Sequence, residues 1–313
     1  MVIPPEQASV GRPPGVTVVI PTYNYGRFLP AAIESALGQS YQPLDVLVVD
    51  DGSTDETQSI VRSYGNHVRC VTQPNRGLSA ARNTGIAESA GPLLVFLDSD
   101  DVLRPEMVEK MVATLQSLPE SFGLIACQTA PIDAEGRLIK RKVRTPNPEA
   151  EITADDLILV NHFSPAVLVR KRVLDEVGGF NTTLKSSEDR DMWIRIAEKS
   201  RIYCLSGELA LKRVHGSNMS SNAERQSENM RVVLWGAFSR SVVSRVAVTF
   251  WLRVSAMYLY QSALMYHDGG SRWQALRRMM CSLLVWPFAI RASKLNLPCL
   301  FRLRSLGRIV LSR

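Results

Sequence analysis

Three short acidic runs hold the residues of this 313-residue chain whose types and spacing could do chemistry: Asp50-Asp51-Gly52-Ser53, Asp98-Ser99-Asp100-Asp101 and Glu188-Asp189. Carboxylates one residue apart, as in Asp98-Ser99-Asp100, offer hard oxygens suited to Mg2+ or Mn2+. Such ions take one or two protein carboxylates and complete their shells with water and substrate phosphates. The glycines offer phosphate no cradle of the usual kinds, since neither a G-x-G spacing nor a G-x-x-x-x-G-K run occurs. The acids would therefore recruit a metal, and the metal a diphosphate. Glu188-Asp189 reads as the first turn of a helix, where the dipole favours a carboxylate by about 0.3–1 kcal/mol. That favours the ionised form of both carboxylates at neutral pH.

Each run also has a plainer reading. Asp50 to Asp55 has the composition of a turn leading into a helix cap. Asp101 reads as a cap for the helix opened by Pro105, which leaves Asp98 and Asp100 as the chemical pair. First-turn acids are ordinary in helices, and a lone histidine such as His215 is as often a packing residue as a ligand. Trp193 reads as core, on one helix face with Ile196 and Ala197.

The elements that must position these residues follow from hydrophobic pattern. Short, nearly continuous apolar strands are expected at Val16–Ile20, Asp45–Asp50, Arg69–Gln73 and Pro92–Asp98, alternating with helices near Arg27–Leu37, Asp55–Tyr64 and Ser79–Glu88. This alternation predicts an α/β fold, a mostly parallel central sheet with helices on both faces. The ligand loops then fall at the carboxyl ends of the strands, where open α/β sheets bind ligands. Pro21-Thr22-Tyr23-Asn24 follows strand one, Asp50-Asp51 strand two, and Asp98-Ser99-Asp100 strand four. Beyond Asp101 a helix from Pro105, a hairpin of Leu124–Ile132 with Leu138–Val143 about an Ala134-Glu135-Gly136 turn, a strand at Ala166–Arg170 and a helix from about Ser187 are expected. The pattern turns helical from Glu228.

Composition bounds the class. With 45% hydrophobic residues the chain can bury a full core, which excludes a disordered protein. Five scattered cysteines without C-x-x-C spacing argue against a disulfide framework or a zinc knot. The opening MVIPPEQASVGRPP, residues 1–14, reads as a disordered Pro-rich leader without a signal core, and no run is a clean membrane span. A cytoplasmic protein is expected, either free or peripheral on the cytoplasmic face of a membrane. From Gly236 onward twelve Lys and Arg face a single acid, Asp268. That surplus exceeds the +7 of the whole chain and leaves the preceding part net acidic. Arginines interleaved with Trp251, Tyr258, Trp273, Trp286 and Phe301 have the composition of interfacial helices. An anionic membrane surface is the expected partner of this region, and no nucleic-acid module is recognisable.

The stretches VTVVIPTYNYGRFLPAAIESALGQSY, VLVVDDGSTDET, QPNRGLSAARNTGIAESAGPLLVFLDSDD, VGGF and SSEDRDMWIRIAEKS, in this order, resemble the family 2 glycosyltransferases of the inverting GT-A fold. The resemblance runs from about Val16 to His215. It implies a GT-A domain over residues 15–225, followed by a basic helical region over 226–313. It implies that Pro21, Thr22, Tyr23 and Asn24 form the nucleotide-base loop, and that Asp51 bonds the base or ribose. Arg82, Asp98 and Ser99 would lie along the nucleotide sugar, and Asp100 would ligate a Mn2+ or Mg2+ ion. Asp189 would be the general base, with Glu188 beside it on the acceptor side. Arg213-Val214-His215 resembles the late R-x-H element whose histidine contacts the metal or diphosphate. The implied activity is transfer of a sugar, with inversion, from a nucleoside diphosphate sugar, UDP first among the carriers, to a glycan or glycolipid hydroxyl. A nucleotidyltransferase of related architecture, or a non-catalytic scaffold docked on membranes, are the alternatives. The loop after strand one lacks the Gly- and Arg-rich character of the former, and both Asp100 and Asp189, whose loss would mark the latter, are present.

Overall fold

The computed structural model describes residues 14–139, 149–161, 163, 166–216, 222–240, 247–290 and 300–311. The first half alternates as the pattern requires: β1 (Val16–Thr22), α1 (Leu29–Leu37), β2 (Leu44–Asp50), α2 (Thr57–Ser63), β3 (Arg69–Thr72), α3 (Leu78–Glu88) and β4 (Leu93–Phe96). There follow β5 (Val102–Leu103), α4 (Met107–Ser117), β6 (Phe122–Ile132), β7 (Ala150–Ile152), α5 (Ala154–Leu159), β8 (Val167–Arg170), α6 (Lys171–Val177), α7 (Glu188–Lys199) and β9 (Arg201–Arg213). Four helices close the chain: α8 (Ala223–Arg240), α9 (Val248–Asp268), α10 (Arg272–Val285) and α11 (Phe301–Leu311).

Among the described residues the strands form one sheet in the order β3-β2-β1-β4-β8-β6-β9-β5, with β7 also on β9. β1, β2, β3 and β4 are parallel, and β6 runs parallel to β9. β8 is antiparallel to both of its neighbours, β4 and β6, and β5 and β7 are antiparallel to β9. The expected α/β class with a mostly parallel sheet and helices on both faces is what the chain adopts. Strand residues are apolar in succession because both faces are covered. Val18 and Ile20 face a layer holding Leu29, Ile33, Met107 and Met111, while Val19 faces one holding Ala81, Ile86, Trp193 and Ile194. Trp193 is fully buried, as its helix spacing predicts.

The expected hairpin survives in part. After β6 the chain turns at Gly136, whose φ of +85° suits glycine, and Ile132 bridges Leu138. The rest of the expected second arm, and the leader up to residue 13, lie outside the described residues. One expectation is corrected: Asp101 does not cap a helix. α4 starts at Met107 after Glu106, which makes no side-chain cap, and the Asp101 carboxylate instead accepts from the Arg213 backbone N–H at 2.8 Å. The chain runs through β5 before α4 begins, so Asp101 is too far from the helix end to cap it.

α8 to α11 share the buried core of the α3, α5 and α7 face: Met230, Val233, Val254, Met257, Tyr260 and Ile309 join Trp193 and Ile196 in one cluster. Polar contacts fix the same junction. Gln261 on α9 donates to the Leu159 carbonyl at the end of α5 (2.8 Å), and Ser262 bonds Ser227 on α8 (2.8 Å). The Arg302 guanidinium, buried on α11, donates to the Ser282 carbonyl on α10 at 2.8 Å.

Candidate active site

The carboxyl ends of β1, β2 and β4 meet the amino end of α7 at one cavity of about 560 Å3. Pro21, Thr22, Tyr23, Asp51, Arg82, Asp98, Ser99, Asp100, Glu188 and Asp189 all line it, so ten of the twelve residues expected at the site converge from across the sequence. The exceptions are Asn24 and His215, which bond to neighbouring loop residues instead. Asn24 adopts a left-handed φ of 54°, accepts from the Thr54 backbone N–H through its side-chain oxygen (2.7 Å), and donates its own backbone N–H to Ser53. It ties the loop after β1 to the loop after β2. Asp55, in the same run, accepts from the backbone N–H groups of Gly26 and Thr57, a turn that ties the loop after β1 to the start of α2, whose N-cap is Glu56 without a side-chain cap bond.

Asp51 lies at the base of the first wall. Its backbone N–H continues the ladder to Thr22, and its carboxylate accepts from Gln73 (2.6 Å) and from the backbone N–H groups of Arg76 (2.9 Å) and Gly77 (2.7 Å). Those bonds fold the segment 73–77 over the β-strand ends. Gly77, with φ +90°, makes the turn into α3 that an L side chain would resist. α3 then lies tight on β1: a Cβ at Gly85 would meet Val19 Cγ1 at 2.2 Å. This close approach lets Arg82, one turn earlier, reach the site from the buried side.

Arg82 is 1% exposed and joins the two acidic runs, donating to Asp98 at 2.6 Å and to Glu188 at 2.8 Å, with its guanidinium over the Phe180 ring. Burial works against its charge, but the fields of Asp98 and Glu188 outweigh it and raise its pKa further above the ordinary arginine range. The Glu188 carboxyl is raised by burial and by Asp189, with Arg82 pulling it back. One Glu188 oxygen, Oε1, thus holds Arg82 while the residue also lines the cavity. Ser187, left-handed at φ 59°, turns the chain into α7 so that Glu188 and Asp189 enter the cavity side by side. Asp189 accepts from Asn161 at 3.1 Å and from the Arg190 backbone N–H.

Asp98, Asp100 and Asp101 each offer a carboxylate oxygen within 4.8 Å of the others. Burial and the neighbouring Asp98 raise the Asp100 carboxyl, against the pull of His215, whose Nε2 is 3.0 Å from Asp100 Oδ2. Asp101, fully enclosed, is raised well above the carboxylate range by desolvation and by Asp100. His215 is stacked on Phe28 at 4.7 Å and buttresses Asp100. Six carboxylates line the cavity against the three cations Arg82, Arg190 and Lys212. An oxygen-rich, net-negative set of this kind fits a hard divalent cation.

Sequence reasoning missed the far wall. Asn161, Arg190 and Lys212 line the cavity, as do Gln226 and Met230 from α8 and Gln261 and Met265 from α9. Arg190 is buried and spends its donors on the Leu157 and Ile158 carbonyls and on Gln261. Burial lowers its pKa to about 10. Only the run Lys212-Arg213-Val214-His215 carried a sequence signal, since a residue one before Arg213 on a strand must face the opposite side.

A mostly parallel sheet in this order, with acids gathered at the carboxyl ends of β1, β2 and β4, is the GT-A fold of the nucleotide-diphospho-sugar transferases. The family profile described as Glycosyl transferase family 2 matches residues 17–178, over half of the chain, and the chain belongs to that family. An uncharacterized glycosyltransferase of Rickettsia prowazekii (strain Madrid E) is 29% identical over 73% of this chain and 73% of its own length. The chondroitin synthase of Escherichia coli is 31% identical over 75% of this chain, which spans 34% of that longer protein. Among solved structures, S. aureus TarS 1-349 in complex with UDP-GlcNAc superposes with a TM-score of 0.60 at 21% identity, covering 91% of this chain and 97% of that one. The mannosyltransferase PcManGT from Pyrobaculum calidifontis, in complex with GDP-Man and Mn2+, gives a TM-score of 0.60 at 19% identity, covering 97% and 82%. At these identities the two structures establish the fold. Among the described residues no helix is long and apolar enough to cross a membrane.

Proposed function

We propose that this glycosyltransferase moves a sugar from a nucleoside diphosphate sugar, a UDP-sugar first among the candidates, to an acceptor hydroxyl with inversion. The setting would be cell-surface polysaccharide or glycolipid synthesis. The observation that carries this reading is that Asp189 shares one cavity with the cluster Asp98, Asp100 and Asp101, linked to it by the Glu188–Arg82–Asp98 chain of ion pairs. The UDP-GlcNAc bound to TarS and the synthases among the relatives support the donor and product classes.

In this reading the base and ribose lie along Pro21, Thr22, Tyr23 and Asp51, and the sugar against Asp98 and Ser99. A Mn2+ or Mg2+ ion held by Asp100 and its neighbours would neutralise charge gathering on the leaving diphosphate. Asp189 does the proton work. As the acceptor oxygen bonds to the anomeric carbon from the face opposite the diphosphate, its proton passes to an Asp189 carboxylate oxygen. The carbon–oxygen bond to the diphosphate breaks in the same displacement, which inverts the centre. Asn161 and the Arg190 N–H hold that carboxylate in place, and Arg82 fixes the distance between the two acidic runs.

The C-terminal region supports a second half of the proposal, docking on the cytoplasmic face of an anionic membrane. Ten of the sixteen exposed large hydrophobic residues among the described ones lie after Gly236, Trp273 and Leu284 at 77% exposure among them, within the arginine-rich part of the chain. The decisive test of the activity incubates the purified full chain with a panel of UDP- and GDP-sugars, Mn2+ and candidate acceptors, and measures release of free UDP or GDP. Donor consumption dependent on Mn2+ is expected. Absence of turnover and of binding with every donor would overturn it.

A further inference from the structure

Of the three cationic side chains that line the cavity, two are spent on the protein. Arg82 is divided between Asp98 and Glu188, and Arg190 between two carbonyls and Gln261. Lys212 is different: among the described residues no ion pair or hydrogen bond holds its ammonium. It is exposed, but into the cavity that it helps to line. Strand alternation along β9 sends its neighbour Arg213 the other way, where that guanidinium donates to the carbonyls of Asp100, Asp133 and Ala134. Lys212 lies in the field of Asp101, Asp98, Asp189 and Asp100, which more than reverses the downward pull of desolvation on its pKa.

We propose that Lys212 is a protein-borne cation for the phosphate oxygens of the bound nucleoside diphosphate, and that before nucleotide arrives it opposes metal binding by partly neutralising the acidic cluster. The inference rests on the donor reading above. An anion entering beside Asp98 and Asp100 meets a cavity with three more carboxylates than cations, so it needs every positive group with donors to give. A divalent ion supplies two charges. Lys212, with three N–H donors and no protein acceptor among the described residues, supplies a third as a point charge. The same charge repels the metal while the phosphates are absent. Nucleotide and metal binding are then coupled through one side chain: the diphosphate draws the ammonium toward itself and leaves the carboxylates to the ion.

The test uses the full chain as wild type, Lys212→Met and Lys212→Arg. Calorimetry measures UDP affinity in saturating Mn2+, and paramagnetic resonance measures binding of Mn2+ alone. Lys212→Met is expected to weaken UDP about ten- to a hundredfold, as loss of a charge-assisted bond does. It should tighten Mn2+ alone by severalfold, and Lys212→Arg should retain most of the UDP affinity. A purely structural role would lower the melting temperature without tightening Mn2+. Unchanged UDP affinity in the methionine variant, or Mn2+ affinity that is equal or weaker, would overturn the proposal. A wild type that binds neither UDP nor GDP would instead refute the donor reading, and the Mn2+ comparison would still decide whether Lys212 opposes the metal.

Discussion

The sheet-end half of the cavity and the wall built by α8 and α9 are made on different plans. The first is polar and internally bonded. Asp51, Arg82, Asp98, Glu188 and Asn24 each hold another loop as well as face or back the cavity, so its geometry comes from a network of short contacts. The second is made of Gln226, Met230, Gln261 and Met265 on long helices whose positions are set by apolar packing. A bonded network suits a step in which charge moves and must meet fixed partners. Flexible methionines and amides suit recognition of a partner with both apolar and hydroxylated surface. On the proposed function, chemistry would fall to the first region and acceptor contact to the second, and experiments can break that division.

The largest effect is expected at Asp189. Asp189→Asn keeps the shape but removes the proton acceptor, so transfer should fall by about 10² to 10⁴ while calorimetric donor affinity survives. Donor affinity collapsing along with turnover would make Asp189 part of the donor site. Asp100→Ala and chelation by EDTA should each abolish turnover, with the circular dichroism spectrum unchanged, and full activity in EDTA would remove the metal from the mechanism.

Next in size is the joint between the regions. Ending the chain before Ala223 would expose the core face that α8 and α9 cover, and cooperative thermal unfolding should be lost. A truncated chain that still melts cooperatively and binds UDP would make the sheet domain self-sufficient, and the helices an appended unit. Gln261→Ala removes the bond to Leu159 and a partner of the buried Arg190, for a cost of about 1–3 kcal/mol in urea unfolding. The division between the regions also requires this variant to raise the acceptor KM and leave the donor KM alone.

The smallest effect on the fold is expected outside the cavity. Trp273→Ser combined with Leu284→Ser changes two exposed side chains, so stability should move by no more than about 0.5 kcal/mol for each. Sedimentation with anionic vesicles should drop severalfold, and wild-type binding should weaken in high salt as the Debye length shrinks from about 10 Å at 0.1 M to about 3 Å at 1 M. Binding insensitive to both lipid charge and salt would leave these residues as ordinary surface.

The sequence by itself determined the alternation of β1 to β4 with α1 to α3, within a few residues at each end, because strands covered on both faces must be apolar in succession. It also determined the acidic runs and their destination, since loops at the carboxyl ends of parallel strands share one rim. What it could not decide depended on contacts between distant residues. Asp101 looked like a cap because Pro105 is near it in sequence, and only the pairing of β5 with β9 puts the Arg213 N–H within its reach. Glu188 lies far from Arg82 in sequence, and only the close packing of Gly85 on Val19 brings Arg82 to it. The arginines and aromatics of the last helices looked like a single membrane-facing set, whereas folding divides them. Tyr260, Phe301 and Arg302 are buried in the shared core, and Trp273 and Leu284 remain outside. Local pattern fixes which elements form, because it reflects burial along one element at a time. Which polar groups meet across 100 residues is decided by packing, and there the tertiary structure alone gave the answer.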